Sequence, residues 1–220
     1  AQALPFVLSS TKQTSPNISA CFFWSECVNI LLIQTPSVEG PSQERVYPLG
    51  IVTLAGYLRS AGHDAGLLDM NMEADPYGAV KARLLDDRPD VVGLSLRNID
   101  PLANKTSSLI PPFLVTARMV ASLLPGARLI AGGTGFSLFP ERLMTEVPEI
   151  HYGIVGEAEH SLPQLISSLD NPSEVPGLCL RENGKIKFAP SSRNYNMACY
   201  RPPDRALLDP ARYAGINSYV

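Results

Sequence analysis

Short, continuous apolar runs recur between residue 28 and about residue 170, each followed by a segment whose apolar residues keep helical spacing. That alternation leaves few folds open. VNILLIQTP is the first run, and its unbroken apolar character suits a strand buried on both faces. DAGLLDM, DVVGLSL, ARLIAGG and EIHYGIV repeat it. Between them, PLGIVTLAGYLRSAGH sets Ile51, Leu54, Ala55 and Leu58 on one helical face and stops at Gly62, a suitable residue just past a helix end. PYGAVKARLLDD, PPFLVTARMVASLL with its Pro pair at the start, PERLMTEV and HSLPQLISSL predict further helices. Strands alternating with helices imply parallel pairing through right-handed crossovers, with helices on both faces. The expected fold is α/β: a doubly wound, Rossmann- or flavodoxin-like, five-stranded parallel sheet over residues 28–170. Residues 171–190 contain VPGLCLRENGKIKFAP, a β-hairpin turning at Glu182-Asn183-Gly184. Residues 1–27 are a Ser-, Thr- and Pro-rich appendage, and 191–220 an extended connector without periodicity.

A chain of 220 residues can bury one such domain with its appendages. At 45% apolar and 18% charged residues the composition is that of a globular protein. A net charge of -3 and a pI near 5.6 argue against general nucleic-acid binding, which calls for a basic surface. Cys21, Cys27, Cys179 and Cys199 are scattered, with no CxxC and no Cys/His quartet, so neither a zinc nor an iron–sulfur site is visible. Reduced thiols and a cytoplasmic location are the simplest expectation. No apolar run approaches the roughly 20 residues that span a bilayer, so no membrane partner is expected.

In open parallel sheets ligands bind beyond the carboxyl ends of the strands. The loop after the first strand, QTPSVEGPSQERVYPLG, is long for its place and lacks both GxGxxG and GxxxxGK[ST], which disfavours a phosphate-cradling nucleotide site. The third strand ends in SLRNID, with Arg97, Asn98 and Asp100 clustered. Arg97 can pair with Asp69, Asp100 or Glu157 or can face a ligand. The fourth strand delivers AGGTGFS, whose Gly132, Gly133 and Gly135 suit either a tight turn or the close approach of a large ligand. The fifth ends in VGEAEHS, where Gly156 gives room and Glu157 or Glu159 serves a helix N-terminus or a ligand. His63, His151 and His160 do not converge, and no G-x-S-x-G elbow is present, so a hydrolase is poorly supported.

LLIQTP, YPLGIVTLAGYLRSAGH, PDVVGLSLRNID, LIAGGTGFSLFPE, GIVGEAEHSLPQL and VPGLCLRENGKI, in that order, resemble the N-terminal cobalamin-binding domain of cobalamin-dependent radical SAM enzymes. The likeness spans about residues 28–213 and includes RPPDRALLDPARY, the connector that in that family leads into the radical SAM barrel. It implies that Ser95 and Leu96 stand at the serine-containing motif after strand three. Gly132 and Gly133 match the family's Gly-Gly pair, flanked by Thr134, Gly135 and Phe136, and Gly156 with Glu157 match its Gly-Glu element. Together these would admit the nucleotide tail of cobalamin into a slot beside the sheet.

One departure stands out. Cobalamin folds that ligate cobalt from below carry Asp-x-His-x-x-Gly after strand one, whereas the loop here ends in Tyr47-Pro48-Leu49-Gly50 and has no histidine. The resemblance therefore implies base-off binding without a histidine ligand, with Arg97, beside Asn98, or Tyr47 facing the lower side of the ring. A guanidinium has no lone pair to give, so Arg97 would block that position rather than ligate. Cobalt lacking a strong lower ligand releases a methyl group more easily. The family's methyltransferases act on carbon or phosphorus, and the branch closest in wording acts on peptide or natural-product substrates, as in tryptophan methylation for thiopeptide biosynthesis. Their S-adenosylmethionine (SAM) and 4Fe-4S cluster sit in the barrel; the CxxxCxxC that holds the cluster is absent here, so the chain is expected to be one domain of a longer enzyme, inactive alone and partnered with its own barrel. The alternative is a degenerate fold kept as an interaction scaffold.

Overall fold

The apolar runs become strands Asn29–Gln34 (β1), Asp64–Asp69 (β2), Val91–Ser95 (β3), Arg128–Gly132 (β4) and Tyr152–Ile154 (β5), all parallel. The computed structural model describes residues 27–37, 46–100, 107–172, 174–191 and 202–213. Expectations for residues 1–26 of the appendage, for Cys21 and Cys199, and for residues 38–45 of the first long loop lie outside them. The strands adjoin in the order β2-β1-β3-β4-β5, which reverses direction between β1 and β3. That reversal is where a doubly wound sheet opens a crevice at its carboxyl edge.

Helices Leu49–Ser60 (α1), Pro76–Asp87 (α2), Ile110–Leu123 (α3), Thr134–Leu138 (α4), Pro140–Glu146 (α5) and Ser161–Ser167 (α6) cover both faces. Alternation of side chains along each strand splits the core in two. Ile30 and Leu32 of β1 pack with Ile51, Val52 and Leu58 of α1 and with Leu162 and Leu165 of α6. Leu31 and Ile33 pack on the opposite face with Leu84 of α2, Phe113 of α3 and Leu143 of α5. Among the described residues no helix is long and apolar enough to cross a membrane.

The hairpin forms as Leu178–Glu182 (β6) and Lys185–Phe188 (β7), joined by Asn183 and Gly184 at φ 51° and 76°. Positive φ at both turn positions is the type I′ requirement that Asn-Gly meets. β6 pairs antiparallel with β5, so the hairpin is no separate extension: it continues the same sheet to seven strands. AGGTGFS, read as a loop in the sequence, already contains α4.

The segment 202–213, without periodicity in sequence, folds back onto the domain through two short 3-10 turns. Its last described residue, Tyr213, is buried, donates its hydroxyl to Asp69 Oδ2 at 3.0 Å and sets its ring edge-on to Tyr47 at 5.1 Å. Arg205 lies over the Tyr47 ring, 5.5 Å from its centroid. Arg212 reaches Glu73 Oε1 at 3.1 Å and the Met72 carbonyl at 3.2 Å. Asp69 also accepts from the Asn71 side chain at 2.6 Å, and Asn71 in turn accepts from the Ser37 backbone at 2.8 Å. One hydrogen-bonded chain thus runs from the 202–213 segment to the start of the β1 loop.

Removing the Tyr213 hydroxyl leaves a buried carboxyl short of a donor, so Tyr213→Phe should lower the unfolding free energy by about 1–3 kcal/mol in urea titrations. Burial holds the Asp69 carboxyl above its usual range, while hydrogen bonds from Asn71 and Tyr213 pull it down. A carboxyl raised in the folded state binds protons more readily there than in the unfolded chain, so its contribution to stability falls as pH rises from the unfolded value through the folded one. Unfolding measured across that acidic window should show the decline, and Asp69→Asn should flatten it.

Candidate functional site

The same alternation that splits the core decides which residues meet at the carboxyl edge. Leu32 and Gln34 of β1, Gly93 and Ser95 of β3 and Ile130 and Gly132 of β4 share the face under α1 and α6. Leu32, Gly93 and Ile130 form one row across the sheet, and Gln34, Ser95 and Gly132 the next. Glycine at one position in each row removes side-chain volume from the floor. A cavity of about 360 Å³ fills the space, within the range of small-molecule sites. Gly50, Ile51 and Leu54 of α1 make one wall; Ala158 and Leu162, at the start of α6, make the other.

The slot is apolar below and polar at its rim, where Ser95, Thr134, Ser137, Glu157 and Glu159 stand. Ser137 Oγ donates to the Gly133 carbonyl at 2.9 Å and accepts from the Gly156 amide at 3.1 Å, tying α4 to the loop after β5. A Cβ placed on Gly50 or Gly156 would meet nothing within 4 Å. On Gly132 it would meet only the Ile154 carbonyl, at 3.6 Å.

Gly133 and Gly135 do a different job from the one their spacing suggests. Gly133 has φ +100°, and a Cβ there would lie 2.6 Å from the Leu96 carbonyl oxygen. The Gly135 amide donates to the Leu96 and Arg97 carbonyls, both at 2.9 Å, and its own Cβ would stand 3.0 Å from that backbone. These glycines let the β4 loop lie directly on the β3 loop. Their close approach is to the chain itself.

Of the residues singled out in sequence, Gly50, Ser95, Gly132, Gly133, Thr134, Gly156 and Glu157 line the slot. Leu96 and Phe136 are wholly buried in the opposite core, and Gly135 is buried beside them. Tyr47 is buried between Tyr213 and Arg205, away from the slot lining. Leu49 is exposed at the first turn of α1. Arg97 and Asn98 are half-buried just past β3. The four ion pairs among the described residues do not include Arg97, and Asp69, one of its expected partners, is engaged by Tyr213 and Asn71. Gln34, Gly93 and Ser137 were not singled out; a lone amide ending an apolar strand and a glycine inside the next were the available signals.

The histidines are dispersed. His63 Nδ1 accepts from the Val28 amide and His151 Nδ1 from the Leu129 amide, both at the amino ends of strands, opposite the slot mouth. His160 sets its ring edge-on to Tyr57. Burial lowers the pKa of His63 and of His151, where Arg128 adds to the effect. Cys179 is buried, with its thiol pushed up to about 12 by desolvation. Among the described residues no group of His, Cys, Asp and Glu could hold a metal ion.

Comparison with known protein families matches residues 40–166 to the B12-binding domain. This chain belongs to the B12-binding domain family. The matched span takes in α1, β3, β4, β5 and most of α6, the elements that build the slot above β1. Curated relatives include the hopanoid C-3 methylase of Methylococcus capsulatus, 34% identical over 139 residues, and an uncharacterized methyltransferase of Pyrococcus horikoshii, 27% identical over 146. The aligned parts cover 61% and 65% of this chain but 25% and 30% of those proteins, so this B12-binding chain spans under a third of either. The fold is shared with the radical S-adenosylmethionine methyltransferase TsrM from Kitasatospora setae, solved with cobalamin and a [4Fe-4S] cluster: TM-score 0.66 at 22% identity, over 75% of this chain and 31% of TsrM.

The glycines separate by what they face. Gly133→Ala should cost about 1–3 kcal/mol in urea unfolding, from a positive φ and a backbone collision together. Gly50→Ala, at a helical position bordering open space, should leave stability unchanged or raise it by up to about 1 kcal/mol.

Proposed function

We propose that this B12-binding domain holds cobalamin for a cobalamin-dependent radical SAM methyltransferase, base-off and without a histidine on cobalt, with the nucleotide tail in the slot under α1 and α6. The observation that carries the reading is the slot itself. It is apolar, built over Gly93 and Gly132, and edged by a few hydroxyls and carboxylates, which suits a flat heteroaromatic tail entering between sheet and helices. A corrin ring would then rest over the carboxyl edge, beside Arg97 and Asn98.

Bound there, cobalamin supplies a metal centre that carries a methyl group between SAM and an acceptor carbon. This chain's own part is to bind, orient and shield. Leu32, Ile51, Leu54, Ile130 and Leu162 exclude water from the tail. Ser95 and Thr134 offer it hydrogen bonds. Arg97, unable to donate a lone pair, covers the lower side of the ring without ligating. The histidine-free character of the site is favoured by His63 and His151, whose Nδ1 atoms are occupied by backbone amides at the far edge of the sheet. SAM, an iron–sulfur cluster and the methyl acceptor belong, in this proposal, to the remainder of a longer enzyme. Relatives more than three times the length of the aligned segment and named as methylases support that division, and a natural-product or peptide-derived acceptor fits the likeness to TsrM.

The purified chain, incubated with hydroxocobalamin and desalted, should keep a corrinoid absorbance of base-off form that is unchanged when His63, His151 and His160 are substituted one at a time. Gly132→Leu, which puts a side chain into the slot, should weaken retention by roughly tenfold or more while the protein stays folded by circular dichroism. No retained colour in the folded wild-type chain would return the domain to the scaffold alternative.

A further inference from the structure

Gln34 is buried, yet it ends a strand whose four preceding residues are Ile and Leu. Its side chain is fully engaged. Nε2 donates to the Thr35 and Ser95 carbonyls, each at 3.2 Å, and Oε1 accepts from Ser95 Oγ at 3.2 Å. Two carbonyl oxygens facing the amide nitrogen fix which way the amide points, because a flip would set Oε1 against both of them. Ser95 Oγ, which lines the slot, therefore always finds an acceptor at the same place in its neighbouring strand. The Ser95 carbonyl is further held by the Thr35 amide at 3.2 Å and Thr35 Oγ1 at 2.8 Å. The backbone beneath the hydroxyl cannot drift.

We infer that Gln34 is a positioning residue: it fixes the Ser95 hydroxyl at the slot wall and so sets the hydrogen bond that the slot makes with the nucleotide tail. This deepens the proposed function and rests on it. Gln34 is not itself among the slot-lining residues, so it acts through Ser95. At 3.2 Å the Ser95–Gln34 bond is long for a hydroxyl donor, where about 2.7–2.8 Å is usual, so the hydroxyl can turn to a group in the slot at small cost. When it turns, the Ser95 backbone still places its oxygen, because Gln34 and Thr35 hold the carbonyl of that residue. A slot with this device distinguishes a corrinoid that has a nucleotide tail from one that lacks it.

The test compares hydroxocobalamin with cobinamide, which has the corrin ring but no nucleotide tail, in titrations followed by absorbance. Ser95→Ala keeps both Gln34 donor bonds, so its fold is not at stake, and Gln34→Met removes the amide at constant length. Each should weaken cobalamin binding by roughly tenfold, the scale of one lost hydrogen bond to ligand. The double variant should bind no worse than either single one, since both changes remove one coupled contact. Cobinamide affinity, titrated to millimolar concentrations, should be alike in all four proteins. Losses that add in the double variant, an unaffected Ser95→Ala, or equal losses for cobalamin and cobinamide would each overturn the inference; should Gln34→Met not fold, Ser95→Ala with the two corrinoids decides it alone. A wild-type chain that binds neither corrinoid would instead remove the proposed function beneath it.

Discussion

The slot exists because one floor position, Gly132, leaves open space where a side chain would stand, while the helices above are held off the sheet by their neighbours. Ile51 and Leu58 on α1, and Leu162 and Leu165 on α6, pack onto Ile30, Leu32 and Ile154 and set the height of the roof. A roof supported at its margins over a floor open at Gly132 leaves space between them. The opposite face has no such deficit, since Phe136, Phe113 and Leu96 fill it and all three are fully buried. Asymmetry between two faces of one sheet is what makes a binding domain out of an ordinary doubly wound fold.

Much of this architecture was written in patterns that are local along the chain. Strand and helix positions follow from apolar periodicity, and the hairpin from Asn183-Gly184, because each depends on residues within a turn or a strand length of one another. What escaped was set by contacts between distant segments. The three glycines at the end of β4 suggest clearance for a ligand, yet Gly133 and Gly135 answer to the Leu96–Asn98 backbone, 37 to 39 positions earlier in sequence, and only Gly132 of the three leaves the floor open. Gly93, in the neighbouring row, makes room for the Leu32 side chain, which a Cβ there would meet at 2.6 Å. Gln34 was invisible for a related reason: its meaning lies in Ser95, across one strand pairing, and no period in sequence marks such a pair.

Tyr47 illustrates how an unpatterned tail can redirect a plausible site residue. From the sequence it stands at the end of the first long loop, where a lower-face contact is expected. In the structure its ring is enclosed by Tyr213 and Arg205, both from a segment without periodicity. Side chains that pack individually, by one ring or one guanidinium at a time, leave no repeating trace for sequence reasoning to follow.

The hydrogen bond from Tyr213 to Asp69 joins residues 144 positions apart, and Asp69 is the Cα partner of Gln34 in the next strand. A contact that distant cannot form until its later residue has been made. During translation, β1 to β5 and the slot over them can assemble as soon as their own residues emerge, but the carboxyl edge of β2 keeps a buried acid without its phenol until residue 213 has left the ribosome. Completion of this domain is thus timed by synthesis of residues 202–213: the carboxyl edge of the sheet becomes fully ordered only once that segment has emerged.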